Sequence, residues 1–394
     1  MRLLWISNAP WAKTGYGVQT NLFASRLVQA GHPTAVLCYY GLEGGGFNYN
    51  NMLCYPKAGH PYGMDISGAH AKNFNADVVF TLMDTWVVTP GSFAGAKWIA
   101  WYPVDHEPMP GKVRESIAQA HYRIAMSKSG VAESNKAGLD CYYVPHGVDT
   151  NIYKPIDKTE AREMVNLPKD AFIVGTVGMN KGLPSRKNFP AMLKAFAKFR
   201  QKHTDAVYYI HTQEGVGQDG LGGVNIPEMC QLLGLQYGKD VLLPNPYNML
   251  LGFPDETMAA LYSSMDVHLL ASMGEGFGIP IIEAQACGCP VIVGGWTAMP
   301  ELVYSGHIID KSEAEPIWTG IASDQFIATI DSIERKLHLE YQKPSPRERA
   351  RKGMVENYDA QLVFDKHMLP TIQDIEKRLL EEVGRWQKVA EARA

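Results

Sequence analysis

Along this chain of 394 residues, short apolar runs alternate with stretches whose apolar positions recur at helical spacing. Largely apolar runs at 3–6, 34–40, 78–82, 98–101 and 122–126 have the length and the β-branched or aromatic content of buried strands. Between the first two, residues 19–30 follow a helical period until Gly31 stops them, after a loop holding Gly15 and Gly17. Residues 41–63 are rich in Gly, Asn, Tyr and Pro, show neither period, and read as loop. A short strand at 142–144 ends in Pro145-His146-Gly147. A second series then opens with an apolar strand at 172–177, a Gly/Pro/Ser loop reaching Pro184, and a helix over 189–203. That helix has an apolar face of Met192, Leu193, Phe196 and Phe199. Further strands fall at 207–211, 241–243, 267–270 and 291–293, with helices between them, the last at 280–287. The tail, 359–394, reads as helical with mixed charges.

Alternating strands and helices imply parallel sheets covered on both faces. Two such series, joined near 147–165, predict two α/β domains, 1–149 and 150–358, followed by the helices of 359–394. The length agrees, since single cores rarely exceed about 250–300 residues. Lys plus Arg is 37 against 41 Asp plus Glu, a formal charge of −4, which lacks the basic surplus of a non-specific nucleic-acid binder. Six cysteines are too few for a disulfide framework in so long a chain, and Cys287-Gly-Cys289 has the wrong spacing for a zinc ribbon or a thioredoxin-like pair. They read as small buried residues in a reducing cytoplasm. No apolar run approaches the ~18 residues of a membrane span, and the N-terminus opens directly into a strand without a signal peptide. The basic stripe over 194–202 leaves peripheral membrane contact open, with a solvated face the preferred reading.

The strongest chemical signal is Gly274-Glu275-Gly276-Phe277-Gly278-Ile279-Pro280, followed by Glu283. A strand, a glycine-rich loop and a helix with Pro in its first turn set bare backbone amides and a positive helix end at one point, where a diphosphate fits. Glu283 is read in the first helical turn, pointing back toward the loop, and Glu275 on the loop itself. Two carboxylates bracketing an anion site suit hydrogen bonds from sugar and ribose hydroxyls. The alternative is a helix-capping pair. Arg186 and Lys187 precede the helix at 189, where the dipole disfavours cations and an anionic ligand would remove the conflict.

This segment resembles the E-x7-E motif of retaining GT-B glycosyltransferases, in particular glycosyltransferase family 4, the glycosyl transferases group 1. Matching stretches follow in order. They are Gly15-x-Gly17, Val144-Pro145-His146-Gly147-Val148-Asp149, the segment from Gly175 to Phe196 with Ser185-Arg186-Lys187-Asn188, and Gly288-Cys289-Pro290-Val291-Ile292. The similarity runs over about residues 1–305 and is strongest over 172–303. It implies an α/β GT-B fold, two Rossmann-like domains facing a central cleft with the helices of 359–394 packing back on the first. It implies a nucleotide-sugar donor (UDP-, GDP- or ADP-linked), no cofactor and no metal, and transfer with retention to a glycan, lipid or other hydroxyl acceptor. It further implies that Glu283 holds the ribose hydroxyls, Glu275 the donor sugar, and the Gly276, Phe277 and Gly278 stretch the diphosphate. Arg186 and Lys187 would neutralise that diphosphate, and Gly15 and Gly17 would let the first-domain loop close over it. The family's Gly-Arg after the strand at 172–177 is here Gly178-Met179, so Arg186 or Lys181 stands in for the missing Arg.

A polar loop, Asp105-His106-Glu107, follows the strand at 98–101, near where the family places a catalytic His; Asp105 and His106 are both candidates. Asp84, after another strand, is an acceptor-side candidate or a loop cap. The aromatics of 39–62 suit sugar stacking or a flap held by its own rings. A nicotinamide enzyme is the rival, but Thr20 stands where its third glycine belongs and no acidic residue ends the strand at 34–40. No Asp-x-Asp is present to hold a metal. A non-catalytic nucleotide-sugar or sugar-binding protein is a second rival, separated by turnover.

Overall fold

The computed structural model describes residues 1–215 and 222–391, with side chains up to 382. It forms two compact units. The first comprises Met1–Pro103, Gly111–Gly147 and Ala360–Ala394; the second comprises Val104–Pro110 and Val148–Asp359.

In the first unit, β1 (Leu3–Asn8), β2 (Thr34–Tyr40), β3 (Phe47–Tyr49), β4 (Met52–Pro56), β5 (Val78–Leu82), β6 (Lys97–Tyr102), β7 (Tyr122–Ala125) and β8 (Tyr142–Tyr143) form one sheet. Their order is β3-β4-β2-β1-β5-β6-β7-β8, parallel except for the β3–β4 pair. Tryptophans fill its core: Trp5 stacks on Phe80 at 4.2 Å and meets Trp101 edge-on at 6.1 Å. A buried indole N–H needs an acceptor. Trp5, Trp98 and Trp101 find theirs in Thr20 Oγ1 (3.2 Å), Thr81 Oγ1 (2.9 Å) and the Val144 carbonyl (2.8 Å).

Two sequence expectations need correcting here. The first helix spans Gly15–Gln29, not 19–30, because Thr14 caps it and its side chain accepts from the Gly17 amide. Both glycines therefore lie in the helix's first turn. A Cβ on Gly17 would stand 2.2 Å from the Ala12 carbonyl oxygen and 2.9 Å from that of Ala9, so the glycine serves a close backbone approach. Gly17→Ala is expected to cost about 1–3 kcal/mol of stability, read by urea unfolding; an unchanged midpoint would show that the loop yields. Second, 41–63 is not all loop. Asn50 and Asn51 (φ 48° and 63°) form a two-residue turn between the antiparallel β3 and β4, a left-handed geometry suited to asparagine. Trp11 holds this hairpin, 4.9 Å from Phe47 and 5.2 Å from Tyr49, so these aromatics pack on one another.

In the second unit, β9 (Phe172–Val177), β10 (Ala206–His211), β11 (Val241–Leu242), β12 (Val267–Leu270), β13 (Val291–Gly294) and β14 (Gly306–Ile309) form a parallel sheet ordered β11-β10-β9-β12-β13-β14. An antiparallel hairpin, β15 (Ala314–Trp318) and β16 (Asp324–Ala328), stands apart; β14 to β16 lie beyond what the apolar pattern predicted. The sheet order reverses between β9 and β12, and doubly wound sheets bind ligands outside the carboxyl ends of their strands at such a reversal. The helix Phe189–Lys202 turns its basic stripe onto carboxylates: Lys198 pairs with Asp331 (2.6 Å), Lys202 with Glu334 (3.2 Å) and Arg200 with Asp240 (2.7 Å). Those three cations are paired with carboxylates of the chain itself.

The C-terminal helix Leu369–Glu391 belongs to the first unit, where Glu376 receives the N-terminal ammonium and Asp374 the Tyr142 hydroxyl (2.5 Å). Among the described residues, no helix is long and apolar enough to cross a membrane.

Candidate active site

Two loops of the second unit meet at the reversal point of its sheet. Residues 178–188 follow β9, and 271–278 follow β12. From the first come Arg186 and Lys187; from the second comes Glu275. Glu275 is almost fully buried, with Lys187 Nζ on its Oε1 at 2.5 Å and Arg186 on its Oε2 at 3.1 Å. Burial opposes the charge on Glu275, but the two cations and the Lys187 hydrogen bond outweigh it and hold the carboxyl down at about 2. Lys187 is itself lowered, first by burial, although Glu275 acts the other way. Arg186 is more open and also donates to the Gly274 carbonyl.

This arrangement revises the dipole argument. The two cations ahead of the helix Phe189–Lys202 are met by a carboxylate of the chain itself, so no ligand is required to relieve them.

The segment Val104–Pro110 groups with this unit, although β6 of the first sheet precedes it. Its Asp105 carbonyl lies 2.0 Å from where a Cβ on Gly274 would stand, so only glycine permits the approach. Gln325 Nε2 donates to the same carbonyl at 3.3 Å. His106 is buried with its Nδ1 2.7 Å from Asp105 Oδ1, and the Asp105 charge acts on Lys187. Asp105, His106, Arg186, Lys187 and Glu275 are thus brought together around one loop.

Glu283 does not lie where the sequence suggested. The helix is Ile279–Ala286, so Glu283 is its fifth residue, in the second turn. Neither glutamate caps the helix; Gly278 does, at φ 108°, without a side-chain bond. Glu283 Oε2 accepts the Tyr262 hydroxyl at 2.8 Å, and Tyr153 bonds the same carboxylate. Burial, against these two donors, raises the carboxyl to about 7. Tyr153 and Tyr262 carried no local sequence signal.

The other candidates divide by unit. Phe277, on the loop itself, turns its ring toward Tyr358 (6.0 Å). Lys181 is exposed, and so is Met179. Asn180 between them is buried, donating to the Gln213 and Val224 carbonyls and accepting from the Val224 amide, which makes it a structural clamp next to the position, Met179, that stands for the family's Arg. Gly15, Gly17 and Asp84 are in the first unit, after the two strands, β1 and β5, where that sheet's order reverses. Asp84 precedes a 3-10 turn, Thr85–Val87, without capping it by its side chain. Among the described residues, no three His, Cys, Asp or Glu side chains are grouped to hold a metal.

Residues 157–336 match the family described as glycosyl transferases group 1. The second unit is a group 1 glycosyltransferase domain. Similar proteins include two D-inositol 3-phosphate glycosyltransferases. That of Corynebacterium urealyticum is 28% identical over 73% of this chain and 67% of its own. That of Stackebrandtia nassauensis is 28% identical over 44% of this chain, and the aligned stretch spans only 38% of that relative's length. Among solved structures, the sucrose-phosphate synthase from Thermosynechococcus elongatus superposes with a TM-score of 0.74 at 16% identity, over 97% of this chain and all of that one. Anabaena HepE in complex with UDP-glucose gives 0.68 at 15% identity, over 95% of this chain and all of that one. These likenesses establish the fold, GT-B, in which the group 1 domain is the second of two α/β units.

Proposed function

We propose that the chain is a retaining glycosyltransferase that moves a sugar from a nucleotide-diphosphate donor to a hydroxyl acceptor without a metal. One observation carries the reading: Glu275, Lys187 and Arg186 converge beside a glycine loop at the reversal point of a Rossmann-ordered sheet. In that setting Lys187, Arg186 and the loop amides, of Gly276, Phe277 and Gly278, receive a diphosphate, and Glu275 receives a sugar hydroxyl. The sugar–diphosphate C–O bond breaks, the acceptor oxygen bonds the same anomeric carbon, and its proton passes to the leaving phosphate on the same face. Charge growing on the diphosphate is met by Lys187 and Arg186, the electrostatic logic of an oxyanion hole. Asp105 and His106 stand at the acceptor side of the reacting carbon. The complex of HepE with UDP-glucose supports a UDP-sugar as the first donor to try. The D-inositol 3-phosphate relatives point to a sugar-like or polyol acceptor. Six unpaired cysteines suit a reducing compartment such as the cytoplasm.

Thermal stabilisation by UDP-, GDP- or ADP-sugars, followed by turnover with the best of them, tests the reading. Stabilisation without transfer or donor hydrolysis would make the chain a binding protein instead. Activity is expected to survive exhaustive chelation, because cationic side chains perform the charge neutralisation. Loss on chelation with recovery on adding magnesium or manganese would overturn the metal-free mechanism.

A further inference from the structure

Thr297 is buried, yet its φ is +51°, a left-handed conformation that a β-branched residue seldom adopts. Strain of this kind persists where the surroundings impose it, and it collects at functional sites. The contacts show what it gains. The Thr297 amide donates to Glu107 Oε1 at 2.6 Å, while its hydroxyl oxygen accepts the Glu275 amide at 3.1 Å. The next residue, Ala298, donates its amide to the Glu275 carbonyl at 3.3 Å. Residues 297 and 298 therefore grip both backbone polar groups of Glu275. Glu107 is anchored in turn: its Oε2 pairs with Lys311 at 2.5 Å, Lys311 lies over the Phe326 ring at 4.1 Å, and the Glu107 amide donates to the Asp324 carbonyl at 3.1 Å. Glu107 follows His106 directly.

We infer that Thr297 is a positioning residue that couples the Asp105–His106 loop, through Glu107, to the backbone of Glu275. The inference deepens the proposed function and rests on it for the roles of Asp105, His106 and Glu275. A glycine would supply the left-handed backbone and the amide to Glu107 without strain. Glycine would leave the Glu275 amide without the acceptor that the Thr297 hydroxyl supplies, which is what the strained side chain gains.

The variant Thr297→Gly separates the two roles. Relief of strain offsets the lost hydrogen bond, so its melting temperature should stay within a few degrees of the parent. Turnover should nevertheless fall about tenfold with donor KM nearly unchanged. Amide hydrogen exchange over 274–276 should quicken, because the Glu275 amide has lost its acceptor. Thr297→Ser should restore both rate and protection; Thr297→Ala, should the glycine variant fold poorly, should show the same loss of rate and protection. Unchanged exchange in both hydroxyl-free variants overturns the proposal, and so does quickened exchange with parental turnover. Should the parent chain transfer no sugar from any nucleotide donor, the functional reading fails by itself, and exchange alone then decides whether Thr297 holds Glu275.

Discussion

Lys187→Met is expected to lower turnover about a hundredfold or more while nucleotide-diphosphate affinity falls by less than tenfold. The methionine keeps the volume of the site and removes only its most buried cation. A hundredfold corresponds to ~2.7 kcal/mol of transition-state stabilisation, within the range for losing one donor to a developing oxyanion. The asymmetry between rate and affinity follows because charge on the diphosphate rises as the sugar bond breaks, so a fixed cation favours the transition state over the ground state. Arg186 is more exposed and should matter less, about tenfold for Arg186→Ala. Lys187→Met also leaves the buried Glu275 with Arg186 as its remaining cation, at a cost of about 3 kcal/mol. The pH dependence has a definite sign. The Glu275 carboxyl sits at about 2, below its unfolded value of 4.5, so its contribution is fully present above 4.5 and is lost as pH falls through 2. The Lys187→Met chain should lose part of that contribution and unfold at a less acidic pH. Single-turnover kinetics decide the catalytic claim. Rates near the parent's for both Lys187→Met and Arg186→Ala would hand the phosphate charge to another group, with Lys181 the first to test.

Glu283→Gln should weaken binding of the nucleotide diphosphate by about 1.5–3 kcal/mol, the worth of hydrogen bonds to a charged group. A second signature makes the assignment specific. In the ligand-free chain the Glu283 carboxyl is raised by burial to about 7, so it is part-protonated at neutral pH. Ribose hydroxyls donating to it favour the ionised form, and binding should release a proton. Affinity is then expected to rise as pH increases from 6 to 8, by up to about tenfold, and to stay flat in the glutamine variant. Calorimetry in buffers of different ionisation enthalpy reads the proton directly. Affinity insensitive to pH in the parent chain would remove Glu283 from the nucleotide site. For the free chain the sign is opposite: a carboxyl raised above its unfolded value of 4.5 stabilises most below that value, and stability falls as pH climbs through 7.

Much of the second unit was legible in the sequence because its elements are strongly patterned. The strands at 172–177 and 267–270 match residue for residue, and the helix expected over 189–203 ends one residue early. The Glu275 motif pointed to the loop on which Arg186 and Lys187 converge. Weaker local signals failed. Gly15 and Gly17 masked a helix start that Thr14 announces, and glycine-rich surroundings hid an Asn50-Asn51 turn. The partners of the key groups were not readable at all. Tyr262 reaches Glu283 across 21 positions, Thr297 reaches Glu275 across 22, and Glu107 reaches Thr297 across 190. Such pairs are set by how strands stack and not by any spacing along the chain.

The backbone leaves one unit for the other after Pro103, Pro110, Gly147 and Asp359. For anyone recombining enzymes of this fold to change their acceptors, that threading defines what counts as an interchangeable part. A graft joined only near residues 148 and 359 would import a foreign version of 104–110 and set it against Gly274, Thr297 and Asp324, which contact this one. The transferable module is the first unit as the contacts divide it, without residues 104–110, so a working hybrid needs two further crossovers, flanking residues 104 and 110.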